Sequence, residues 1–114
     1  MRVMVSGPIF VTADEPLLVF ESLERAVVCL EWQDVEDGLY RGYDGDGRLI
    51  EFATEPIPKR RWSLFRDKRV VADTEPDPTH ADALRSTLAR ILALPETTSL
   101  EELKGAAVSR FGLT

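Results

Sequence analysis

The chain has 114 residues, 44% of them hydrophobic and 30% charged, with a formal net charge of −6. That length and balance describe one self-sufficient globular core, so residues 1–114 are read as a single domain. The single cysteine, Cys29, excludes an intrachain disulfide. No apolar run nears the roughly 20 residues of a membrane span, and the negative total disfavours free nucleic acid and anionic membrane as partners.

Residues 2–11 alternate loosely through Val3, Val5, Ile9, Phe10 and Val11 and are expected to form a first strand, bent at Gly7-Pro8. One charge and a short apolar stretch at the N-terminus read as that strand and not as a signal peptide. With one cysteine, this points to a reducing cytoplasm. Residues 12–16 read as a loop, and Leu17-Leu18-Val19-Phe20 as a strand or the approach to a helix. Ser22 offers an N-cap and Glu24 a carboxylate in the first turn, where the helix dipole favours an anion. Leu23, Ala26, Val27 and Leu30 follow at helical spacing, which predicts a helix over 23–32.

Residues 39–44 and 48–55 are expected to pair as a hairpin about Asp44-Gly45-Asp46-Gly47, whose composition is that of a turn. Pro56-Ile57-Pro58 breaks the sheet, and 61–66 with 69–74 offer a second hairpin. Thr79 is placed as the N-cap of a helix over 79–94, striped by Leu84, Leu88, Ile91 and Leu92 and stopped by Pro95. Ser99 and Glu102 form a capping box for a last helix over 99–111, whose apolar positions are Leu100, Leu103, Ala107 and Phe111. The order β-α-β-β-(β-β)-α-α predicts an α+β fold, an antiparallel sheet with helices packed mainly on one face.

Few residues here are arranged for catalysis. His80 is the only histidine and is expected to be an exposed helix-end residue; Cys29, between Val28 and Leu30, reads as a small buried filler. One histidine and one cysteine do not make a structural zinc site, Asp44-Gly45-Asp46-Gly47 lacks the remaining ligands of a calcium loop, and no phosphate-binding glycine loop occurs. No catalytic residue, cofactor or metal is therefore assigned.

Charge is distributed unevenly. Residues 1–55 carry 12 acidic and 4 basic residues, residues 56–72 carry 6 basic against Asp67 alone, and residues 73–114 carry 7 acidic and 4 basic. Within the first segment, Glu31, Asp34, Glu36, Asp37, Asp44 and Asp46 fall close together, with Trp32 and Tyr40 among them. Either they are a solvated helix end and turn, or they form a docking face for a protein with a basic surface, steered by charge and anchored by the aromatics. A docking face of all six needs the helix end and the turn to be neighbours in space; on opposite sides they are a solvated surface, and the partner site is sought first around Trp62 and Phe65. The basic stretch from Lys59 to Arg69, with Trp62 and Phe65, is either core and solvated charge or a grip on nucleic acid.

The run Phe20-Glu21-Ser22-Leu23-Glu24-Arg25-Ala26, then Leu30-Glu31, Asp34-Val35-Glu36-Asp37-Gly38-Leu39-Tyr40 and Tyr43-Asp44-Gly45-Asp46-Gly47-Arg48, carries a resemblance. It resembles a group of small bacterial proteins, common in actinobacteria, that includes immunity-like proteins of toxin–antitoxin competition systems. The similarity covers residues 17–55, with an echo at Pro78-Thr79-His80 and the helix that follows. The residues are read as a non-catalytic cytoplasmic domain that binds another protein, and the resemblance implies that this partner is a toxin neutralised by occlusion, an acidic plug for a basic cleft. The alternatives are a nucleic-acid-associated or regulatory module using residues 59–69 and, third, an enzyme with a carboxylate site.

Overall fold

The computed structural model describes residues 7–12, 17–56, 68–75 and 80–114, with residues 68 and 73–75 described by backbone alone. The chain runs β1 (Ile9–Thr12), β2 (Leu18–Phe20), α1 (Leu23–Cys29), α2 (Trp32–Glu36), β3 (Arg41–Tyr43), β4 (Leu49–Pro56), β5 (Lys68–Glu75), α3 (His80–Leu92) and α4 (Leu100–Phe111). All neighbouring strands are antiparallel, in the order β2-β1-β3-β4-β5. The α+β expectation holds.

The helices divide between the two faces of this sheet; they do not gather mainly on one. Side chains alternate along each strand, so the register sorts them. Phe10, Val19 and Tyr43 point to one face and pack with Leu84, Leu88, Leu103 and Ala107 of α3 and α4. Ile9, Val11, Phe20, Ile50 and Val70 point to the other and pack with Ala26, Leu30 and Val35 of α1 and α2. A strand with consecutive fully buried residues, as at Ile9-Phe10-Val11, requires cover on both sides. Burying each such side chain contributes about 1.5–3 kcal/mol.

Two of the predicted caps are present. The Ser22 hydroxyl accepts from the Arg25 N–H at 3.2 Å, and the Ser99 hydroxyl accepts from the Glu102 N–H at 3.3 Å. Each satisfies a donor that the first helical turn leaves open. α3 stops at Leu92, where Ala93 turns to φ 55, and α4 stops at Gly112. Thr79, the expected cap of α3, lies outside the described residues.

Several boundaries differ from expectation. Leu17–Phe20 contains a strand, β2, and the predicted first strand is described only as Ile9–Thr12. The predicted helix over 23–32 ends at Cys29. Leu30 and Glu31 are extended, with ψ 138 and 125, and a second short helix starts at Trp32. The elbow lets Leu30 and Val35 share one core, which a straight helix through both would turn to different sides. Residues 69–74 are strand, as expected, but their partner is β4, in eight consecutive pairs from Leu49↔Glu75 to Pro56↔Lys68; residues 61–66 lie outside the described residues.

Candidate functional site

The predicted acidic residues fall into two groups, which the sheet keeps apart. The first occupies the α1–α2 elbow. Glu31 caps α2 from the N-terminal side without a side-chain bond to the helix, and Glu31, Glu36 and Asp37 are exposed. Asp34 is half-buried, its carboxylate accepting from the Tyr40 hydroxyl at 3.2 Å, and Glu36 accepts from the Thr54 hydroxyl at 3.1 Å. Burial first, and then the hydrogen bond to Asp34, raise the Tyr40 phenol above its ordinary value, because both disfavour the phenolate. Trp32, half-buried, packs against the α1–α2 core. The Glu36–Thr54 bond ties the elbow to β4, and the Asp34–Tyr40 bond ties it to the segment that enters β3.

The second group is the β3–β4 turn, which is built from its own aspartate. Asp44 is fully buried. Its carboxylate accepts from the Asp46 N–H at 2.9 Å and the Arg48 N–H at 2.8 Å, with the Arg48 guanidinium at 3.4 Å. The main chain closes beneath it, Asp44 N–H to Arg48 carbonyl at 3.0 Å and Gly47 N–H to Asp44 carbonyl at 3.0 Å. Gly47 adopts φ +84, and a Cβ there would stand 2.5 Å from Ala81 Cα, so α3 packs directly on the turn. Lys104 of α4 donates to the Gly45 carbonyl at 2.6 Å from the same side. The buried carboxylate is thus consumed in shaping a turn that α3 and α4 clasp.

One continuous face of six carboxylates is therefore not formed. Glu36 meets Thr54, five residues along β4 from Leu49 at the turn, a separation of about 16 Å at strand rise. The elbow also lies with α1 and α2 on one face of the sheet, while the turn lies with α3 and α4 on the other. Asp44 has no side-chain surface to offer, and the exposed Asp46 lies 3.6 Å from the Arg48 guanidinium. The structure brings together Glu31, Asp34, Glu36, Asp37, Trp32 and Tyr40, and separates Asp44 and Asp46 from them.

Two single residues also differ from expectation. Cys29 is exposed, because the helix that was to bury it ends there. His80, the first residue of α3, is half-buried and not exposed. Among the described residues, no three His, Cys, Asp or Glu side chains are grouped to hold a metal ion. Of the basic stretch, Lys59 to Asp67 lies outside the described residues, and Arg69 pairs with Glu55 across the β4–β5 ladder.

Sequence reasoning missed one feature, a shallow groove of about 520 Å³ where the elbow meets β5. Val27, Val28, Leu30, Trp32 and Val70 line it, with Val28 76% exposed. The only signal for it was Val28, an apolar residue off the Leu23–Ala26–Leu30 stripe. No known family model, curated protein or solved structure significantly matches the chain. Among the described residues, no helix is long and apolar enough to cross a membrane.

Proposed function

We propose that this is a non-catalytic, cytoplasmic protein-binding domain whose α1–α2 elbow by itself, without the β3–β4 turn that the six-carboxylate docking face required, docks a partner with a basic surface. The observation that carries the reading is the charge of that elbow. Residues 21–40 hold six carboxylates against one cation, Arg25, and five of the six carboxylates are exposed. A local field of one sign steers an oppositely charged partner and raises its association rate. Trp32 and Tyr40 stand among the carboxylates, and half-buried aromatics of this kind serve as anchors at interfaces. An immunity-type role, with the elbow occluding the basic cleft of a toxic nuclease, accords with the sequence resemblance over residues 17–55.

The test is a double charge reversal at exposed positions, Glu31→Lys with Asp37→Lys, measured against a candidate basic nuclease domain encoded beside this protein. Steering predicts an association rate lower by roughly tenfold or more and a flatter dependence on salt, with the melting temperature unchanged or raised. Unaltered association in a folded double variant refutes the docking reading. Tight duplex binding at physiological salt by the wild-type protein moves the function to the basic stretch 59–69 instead.

A further inference from the structure

We infer that the outer edge of β5 is a self-association surface, on which β5 of a second copy pairs antiparallel about a twofold axis to join two five-stranded sheets. This inference is independent of the docking reading, because it uses the backbone of β5 and not the carboxylates of the elbow. It begins from the contrast between the two edges of the sheet. At one edge, β2 is three residues long, and the Thr114 N–H donates to the Val19 carbonyl at 2.8 Å, so the C-terminal end lies along that strand. At the other edge, β5 is eight residues long and keeps unbroken register with β4 from Lys68 to Glu75. Among the described strands, β5 pairs with β4 alone. Monomeric proteins blunt such an edge with charged side chains, proline, a bulge or a cover, since a regular row of main-chain donors and acceptors recruits another strand. β5 has no proline and no bulge; its charged residues, Lys68, Arg69, Asp73 and Glu75, stand toward its two ends, and its centre reads Val70-Val71-Ala72.

The order of charge along β5 identifies the occupant. The strand opens with Lys68-Arg69 and closes with Asp73-Thr74-Glu75. A parallel copy sets cation beside cation; an antiparallel copy sets the cationic end of each strand beside the acidic end of the other. Opposing positions in a sheet share a face, and a twofold axis perpendicular to the sheet preserves faces, so two registers are available. Centred on Ala72, the pairing sets Arg69 opposite Glu75 of the partner subunit; centred on Val71, it sets Arg69 opposite Asp73 of the partner subunit. Both registers are self-complementary. The groove at Val27, Val28 and Val70 flanks the same edge, so an added strand also gains apolar surface beside the ladder.

The experiment is sedimentation velocity of the full chain from about 2 to about 200 μM. A dimer is expected at the upper end of that range. Arg69→Glu sets carboxylates opposite carboxylates at two symmetry-related places and raises the dissociation constant by about tenfold or more. Because this change also removes the ion pair with Glu55, Arg69→Gln serves as the comparison; it loses that pair equally but weakens the dimer less. A second chain carrying Asp73→Lys and Glu75→Lys, mixed with Arg69→Glu, is expected to form heterodimers by native mass spectrometry while each variant alone dissociates. Should that chain fail to fold, concentration-dependent slowing of amide exchange confined to β5 in the wild-type protein supports the same surface. A folded wild-type chain that stays monomeric at the highest concentration overturns the inference. So does a dimer that Arg69→Glu weakens no more than Arg69→Gln, or one whose protection lies elsewhere.

Discussion

Replacing Asp44 tests whether the β3–β4 turn is organised by its buried carboxylate or only by its glycines. Asp44→Ala removes the acceptor for the Asp46 and Arg48 N–H groups, held at 2.9 and 2.8 Å, and for the Arg48 guanidinium at 3.4 Å. Hydrogen bonds to a charged group contribute about 1.5–3 kcal/mol each when well formed. Water reaches this turn in part, since Arg48 keeps 30% and Asp46 55% of its side chain exposed, so the two short bonds are taken near the lower limit. The long third bond adds less than about 1 kcal/mol, and the expected cost of Asp44→Ala is about 3–4 kcal/mol. For a domain of this size that lowers the melting temperature by about 12–16 °C. Asp44→Asn retains Oδ1 for both main-chain donors but loses the charge and replaces Oδ2, the acceptor for the Arg48 guanidinium, with an NH2 that cannot accept, at a cost of about 1 kcal/mol. Urea unfolding with an unchanged slope measures both. If alanine costs under about 1 kcal/mol, the carboxylate does not organise the turn. Folded Asp44→Asn is also expected to bind a basic partner as wild type does, because Asp44 has no exposed side chain.

The same clasp predicts unequal costs at two glycines. Gly47→Ala forces a Cβ to 2.5 Å from Ala81 Cα at φ +84 and should cost roughly 3 kcal/mol or more, against about 1 kcal/mol for Gly38→Ala, where φ is +72 and nothing lies within 4 Å; equal melting temperatures would disprove the close approach of α3. Lys104→Met keeps the apolar stem but loses the 2.6 Å bond to the Gly45 carbonyl, lowering stability by about 1–2 kcal/mol in urea titrations. Tyr40→Phe should remove a phenol that ionises above the ordinary value near 10, seen as a difference in alkaline absorbance titration. Since folding raises that value, the contribution is fully present below about pH 10 and is lost as pH climbs through the raised value, so the stability of wild type relative to Tyr40→Phe falls at strongly alkaline pH.

Short-range chemistry was legible in the chain itself. Ser22 and Ser99 stand three residues before the amides they cap, the Asp44–Gly47 turn is closed by groups four residues apart, and the stripe Leu84–Leu88–Ile91–Leu92 repeats with the period of the helix it forms. Each of these interactions is decided within one or two turns of backbone, so composition and spacing suffice. The elbow at Leu30 was not legible, because Leu23, Ala26, Val27 and Leu30 continue one helical stripe and only the shared core with Val35 bends the chain. The groove and the exposure of Cys29 follow from that bend.

What only the tertiary structure decided is which elements meet across the sheet. The apolar run Ile9-Phe10-Val11 was read as one strand of a sheet with helices mainly on one face, and only the structure showed β1 covered on both sides and by which helices. That choice rests on contacts between distant residues, such as Lys104 with Gly45, 59 positions apart, and Ala81 packed on Gly47. A grouping of acidic residues in sequence therefore did not become a single face in space. Asp44 and Asp46 follow Asp37 by only a few residues, but β3 carries the chain to the far end of the sheet, where α3 and α4 enclose the turn. Strand length and cross-sheet packing, and not proximity along the chain, set which charges share a surface.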